Sequence, residues 1–366
     1  MTTTRAPAPG PAAGPPRLSL REPTDVLAAI PYLIGFHPTD CVVVLALHGR
    51  RMAFAARGDL PETGESVRGV VGHLASMVAR HQATGAVVVG YGVAARVDPV
   101  VLGLHKALER RDISVLEVMR AADGRYWSHL CDDNACCPPE GSPYDLTSSP
   151  VAAAAIVAGL AVLPSRQAYE DQLRPVEGPE RLAMVQATER AHDRLIGLIS
   201  QPPDKRGAEA ALVDAGQDAL AAAFDRICEG GRLDDDEAAW LSVLVSSEPV
   251  LESAWRLVNA GPDLGLHRVL WTDVFRRAEP DLMSAPGCLL AYSAWRGGDA
   301  SLACIALERV LATDPLHEPT NGLAEVIGGG APPSIMDLRE GSRVRPRLGR
   351  RARTRSSSRR AGSRRG

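Results

Sequence analysis

Up to about residue 150, short β-branched runs alternate with stripes of apolar residues spaced three and four apart; beyond it only the helical spacing persists. Cys41 to Leu47 (CVVVLAL) is a continuous apolar run of strand length, and His48-Gly49-Arg50-Arg51 turns it into a second strand near Met52 to Ala56. From Glu65 to His81, Val67, Val70, Val71, Leu74, Met77 and Val78 make one buried helical stripe. Ala86 to Val89 returns as a strand. Asp98-Pro99 supplies an N-cap and a first-turn proline for a helix to about Arg111, and Ile113 to Met119 is the next strand. A turn at Asp123-Gly124 leads into Arg125-Tyr126-Trp127. Ahead of all these, Thr24 caps a short helix, Asp25 to Ile30, that Pro31 ends before the loop YLIGFHPTD. The order β-β-α-β-α-β predicts an α/β domain with a mixed, partly parallel sheet and helices.

Past Pro150 the spacing predicts an all-α domain, with helices at 151–163, 179–200, 208–228, 235–245, 249–258, 264–278, 286–295 and 300–312. Asp234 to Glu237 reads as an N-cap with first-turn acids that complement the helix dipole. GDASLACIALERVLATDP, from Gly298 to Pro315, is similar to a tetratricopeptide helix pair, with small residues where two helices approach closely. Only one copy is present, which suits a single helical hairpin better than a stacked solenoid. The domains expected are 18–150 (α/β) and 151–335 (α-helical), flanked by disordered tails at 1–17 and 336–366.

Composition changes this picture at the ends. The net charge of −3 hides a division, because the 26 residues from Gly341 hold 11 Arg and no acid. Without them 30 basic residues face 44 acidic ones, a body near −14. Residues 1–17 are Ala/Pro/Gly with no apolar signal core, and no apolar run reaches membrane-spanning length, so a cytoplasmic protein with no membrane partner is expected. Seven cysteines, an odd number, read as reduced thiols or ligands, not a disulfide framework.

The candidate chemistry gathers in RYWSHLCDDNACCPPEGSPYDL, residues 125–146. His129, Cys131, Cys136 and Cys137 are a nominal Cys3His set that could bind zinc, though the sequence as a whole leads us to expect no cofactor. The spacing opposes a simple site, since adjacent cysteines point apart in an extended chain; packing under the loop, or a labile Cys131–Cys136 disulfide, are the other readings. Gly35, His37 and Asp40 could line a pocket at the sheet edge, with Arg125 and Trp127 joining them, and Asp132 and Asp133 could join Asp40 as a carboxylate set. Gly90-Tyr91-Gly92-Val93-Ala94-Ala95 matches the G-x-G-x-x-A dinucleotide form, but a helix opening at Asp98 starts too late to face a pyrophosphate, so no cofactor-binding residue is assigned. No H-E-x-x-H, G-x-S-x-G or Walker A loop occurs, which disfavours common hydrolases and phosphate-loop nucleotidases and leaves catalytic residues unknown.

PTDVLAAIPYLIGFHPTDCVVVLAL, RYWSHLCDDNACCPPEGSP, VAAAAIVAGLAVLPSRQ and AYSAWRGGDASLACIALERVLATDP together resemble an actinobacterial family catalogued as domain of unknown function (DUF) 4192, over residues 18–335. The resemblance implies a cytoplasmic, two-part protein and transfers no catalytic residue. The reading that follows is a non-enzymatic binding or scaffold protein with an unknown protein or small-molecule partner. One rival is a zinc-dependent or small-molecule enzyme using the Cys-rich loop with His37 and Asp40. Another is polyanion or nucleic-acid binding, through the Arg-rich tail alone.

Overall fold

The apolar run at Cys41 becomes the second strand of a six-stranded sheet ordered β2-β1-β3-β4-β5-β6. The computed structural model describes residues 22–61, 67–146, 149–202, 204–261 and 263–335. Both expected tails, and with them the Arg-rich run, lie outside these residues. The sheet comprises β1 (Cys41–His48), β2 (Arg51–Asp59), β3 (Gly85–Tyr91), β4 (Ser114–Ala122), β5 (Arg125–Ser128) and β6 (Ser142–Pro143). Only β3 and β4 pair in parallel, joined by the helical crossover that parallel strands require. Asp123 and Gly124, both with positive φ, close the β4–β5 hairpin as the two central residues of a tight turn.

Residues alternate between the two faces of each strand. One face carries Val42, Val44, Ala46, Val88 and Val118, and buries them with Val71, Leu74, Val78, Val97, Val101 and Leu104 of α2 (Val67–Arg80) and α3 (Ala94–Glu109). The other face carries Cys41, Val43, Leu45, Val89 and Met119, also buried. A strand covered on both sides needs an unbroken apolar sequence, which is why β1 and β3 read as runs and not as alternations.

Two helices run further than proline positions predict. Pro31 lies inside α1 (Pro23–Ile34), which starts from Glu22 in a capping box with Asp25 and closes when Gly35 N–H donates to Pro31 O at 2.8 Å. Burial of Val26, Leu27, Ile30 and Ile34 outweighs the backbone bond that Pro31 cannot make. Likewise α3 begins at Ala94, with Val93 as N-cap and Pro99 inside. Asp98 is therefore not a cap, and its carboxylate is directed elsewhere, as described below. The helix expected over 151–163 stops early: α4 (Pro150–Val157) ends before Gly159, and Leu163 turns to bond the 35–37 loop, donating to Gly35 O at 2.8 Å and accepting from His37 N–H at 3.0 Å.

The remaining helices are α5 (Arg166–Gln172), α6 (Gly178–Ser200), α7 (Lys205–Cys228), α8 (Asp235–Val245), α9 (Glu248–Ala260), α10 (Leu264–Arg277), α11 (Ser284–Arg296), α12 (Ala300–Thr313) and α13 (Glu318–Gly328). The acids at Asp234 to Glu237 form the expected cap: Glu237 N–H donates to Asp234 Oδ1 at 2.8 Å, and Asp234 N–H to Glu237 Oε2 at 2.9 Å. Ser284 through Trp295 are all buried, so α11 is the central helix of this region. Arg277, 1% exposed, pins α10 beneath the start of α8 through Asp235, Asp273 and the Leu233 carbonyl.

The described residues through Ala331 belong to one compact unit, and Pro332–Ile335 stand outside it. Within that unit, the helical region meets the sheet side at α12, where Ser301 Oγ donates to Ile34 O at 2.6 Å, and at α5, where Tyr169 packs edge-on against Phe36. Among the described residues, no helix is long and apolar enough to cross a membrane.

Candidate functional site: a three-cysteine loop

The loop from His129 to Gly141 leaves β5 and returns to it as β6, so its two ends are fixed by the sheet. His129 N–H continues the ladder by donating to Val118 O at 2.8 Å. Asp133 then organises the turn: its Oδ1 accepts from Ala135 N–H at 2.9 Å, and its carbonyl accepts from Cys136 N–H at 3.1 Å and Cys137 N–H at 2.7 Å. This is a side chain replacing regular backbone pairing in a short polar turn. The far limb lies on Trp127, whose Nε1 donates to Pro139 O at 2.9 Å. At Gly141, with φ of 81°, an added Cβ would fall 2.5 Å from the indole, so only glycine allows this approach. Arg125 Nη1 donates to Gly141 O at 2.6 Å, and the Arg120 guanidinium, directly across the β4–β5 ladder, stacks at 3.5 Å from the Trp127 ring centroid.

The consequence is that the sulfurs of Cys131, Cys136 and Cys137 lie within 4.8 Å of one another. The neighbouring cysteines, which diverge in an extended chain, converge here because both their amides bond one carbonyl and the chain is tightly turned. Cys136 is exposed and the other two are half-buried. Crowding resists ionisation: the Cys137 thiol is pushed up to about 12, first by its hydrogen bond with Cys131, then by burial and by Cys136.

His129 does not join the three sulfurs. Its Nε2 sits 3.2 Å from Asp98 Oδ1, both atoms buried, with Arg120 Nε 3.9 Å from the same oxygen. Asp98, which reads in sequence as a helix cap, carries no local signal that joins it to the loop. The role of Asp133, by contrast, was available from its position ahead of Asn134-Ala135, a turn-forming context.

The five pocket residues fall into two groups. Arg125 and Trp127 hold the cysteine loop. Gly35, His37 and Asp40 lie around the start of β1, three strands from β5, or about 14 Å at the usual spacing. Gly35 packs against Tyr169, His37 is exposed, and Asp40 pairs with Arg96 at 3.0 Å. The late helix start that spoke against a dinucleotide loop is not found. With α3 opening at Ala94, the helix start does follow Gly92, whose φ of 130° suits glycine. The Asp40 carboxylate lies 3.0 Å from where a Gly92 Cβ would stand and is paired with Arg96, so an ion pair occupies this end of the sheet.

The other cysteines differ. Burial first of all pushes Cys41 up to about 11, partly offset by Arg57, and Cys288 up to about 12. Elsewhere an apolar groove of about 640 Å³ runs between α7, α9 and α10, lined by Leu220, Phe224, Leu257 and His267.

Fold and site together define a mixed α/β sheet protein with a helical region and a surface loop of converging thiols. The chain belongs to the family described as Domain of unknown function (DUF4192), whose family model matches residues 23–334. No curated protein and no solved structure matches it.

Proposed function

We propose that this is a cytoplasmic, non-enzymatic binding or scaffold protein in which the Cys131–Cys137 loop holds one zinc ion as a clasp. The observation that carries this reading is the convergence of the three sulfurs within 4.8 Å on a loop anchored at both ends. Three thiols so close hinder one another's ionisation; a dication reverses that balance, because thiolates are its natural ligands and binding releases their protons. The ion would stiffen a surface element beside Trp127 and leave the sheet core untouched. In this reading residues 18–150 and 151–335 act as two domains, and α11 and α12 form a tetratricopeptide-like hairpin. The partner, a protein or small molecule, meets the loop or the helical region. The separation of His37 and Asp40 from the loop weighs against an enzyme built from both.

The test is elemental analysis of the full chain, purified without a His-tag or chelator. About one zinc per chain is expected, lost in Cys136→Ser and kept in Cys288→Ser. A metal-free wild type whose three loop thiols all titrate in the folded protein would overturn the proposal.

A further inference from the structure

The three-sulfur geometry has a chemical corollary that rests on the zinc reading above. Structural zinc sites are closed by four protein ligands, whereas an ion with three takes its fourth from outside. Among the described residues, three ligand atoms converge here and no carboxylate or imidazole joins them. His129, the nearest imidazole in sequence, is drawn away by Asp98 and by its own backbone bond to Val118. Cys136 and residues 132–135 are exposed, so the thiols face solvent on this side.

Charge selects what arrives there. A dication with three thiolates carries −1, and the loop over residues 130–142 adds Asp132, Asp133 and Glu140 against the single Arg125 guanidinium that bonds its far limb, which leaves the surroundings negative. A fourth thiolate or a carboxylate would enter against this field; a neutral donor would not. Water is neutral too but is readily displaced from such a place, and among neutral side chains imidazole is the one that suits zinc. We infer that the ion on this loop reserves its fourth coordination place for a neutral nitrogen ligand of the imidazole class, brought by another molecule.

The full chain loaded with cobalt(II) provides the readout, since the visible bands of the ion report its ligands. Free imidazole should shift these bands saturably, with acetate and azide binding about tenfold or more weakly, a difference near 1.4 kcal/mol. A histidine-bearing peptide that binds more tightly than free imidazole assigns the ligand to a polypeptide; equal binding assigns it to a small molecule. The response should persist in His129→Ala, while the wild-type titration stands independently should that variant fold poorly. Anions that bind as tightly as imidazole, bands that no added ligand moves, or a nitrogen ligand that disappears in His129→Ala would each overturn the inference alone. A chain that takes up no cobalt would overturn the metal reading as well.

Discussion

Cys288 in α11 and Cys137 in the loop both hold their protons up to about 12, and they do so for opposite reasons. Around Cys288 the cause is burial, eased only by a hydrogen bond with Thr320. Nothing charged can reach that thiol without opening the helical core. Around Cys137 the leading cause is another thiol, with Cys136 adding to it, at a surface open to solvent. A cation arriving there turns each of those neighbours from a penalty into a ligand. The same shift thus marks an inert packing thiol in one region and a candidate metal site in the other.

The largest expected effect separates the regions by metal affinity. Cys136→Ser should weaken zinc binding about 100-fold or more, read by competition with a chromophoric chelator, while Cys288→Ser leaves it unchanged. Equal affinities would erase the distinction. Next, Trp127→Ala removes the surface on which Gly141, Pro139 and Arg120 rest, and should cost about 2 kcal/mol in urea unfolding and about tenfold in zinc affinity. A loop indifferent to Trp127 would mean that the anchors do not preorganise the thiols. Cys288→Ser places a hydroxyl at a fully buried position beside Thr320, and should lower stability by about 1 to 2 kcal/mol.

A smaller effect is expected with pH. In the metal-free chain the thiol contribution to stability should be constant below about pH 9, the ordinary thiol value, and be lost as pH rises towards 12. In that window the unfolded chain releases thiol protons that the folded chain retains. Cys288 contributes about 1 kcal/mol of this loss by pH 10, so urea midpoints at pH 8 and 10 should differ less in Cys288→Ala. With zinc bound, the Cys137 contribution should change sign, because the folded site then requires the thiolate. An unchanged pH profile on adding zinc would contradict that reversal. Smallest of all, His129→Ala should cost about 1 kcal/mol through its lost contact with Asp98 and leave the zinc content unaltered.

Much of the fold was legible where local chemistry and packing agree. The β-branched runs at β1 and β3, the Asp123-Gly124 turn and the Asp234–Glu237 cap all appear as expected, since each depends on neighbours in sequence. Pro31 and Pro99 misled because tertiary burial and neighbouring caps outweighed a local preference, carrying α1 past one and starting α3 before the other. Within the site, the cysteines were legible as residue types, but their convergence was not. It depends on the Asp133 carbonyl gathering two successive amides. The departure of His129 was hidden altogether, because its partner Asp98 comes from α3, distant in sequence.

The central claim is that three sulfurs of one loop share an ion. Zinc-edge X-ray absorption on the full chain tests it most directly: the account expects about three sulfur scatterers at the thiolate distance, near 2.3 Å. A spectrum with nitrogen and oxygen neighbours alone, from zinc that survives in Cys136→Ser, would contradict it.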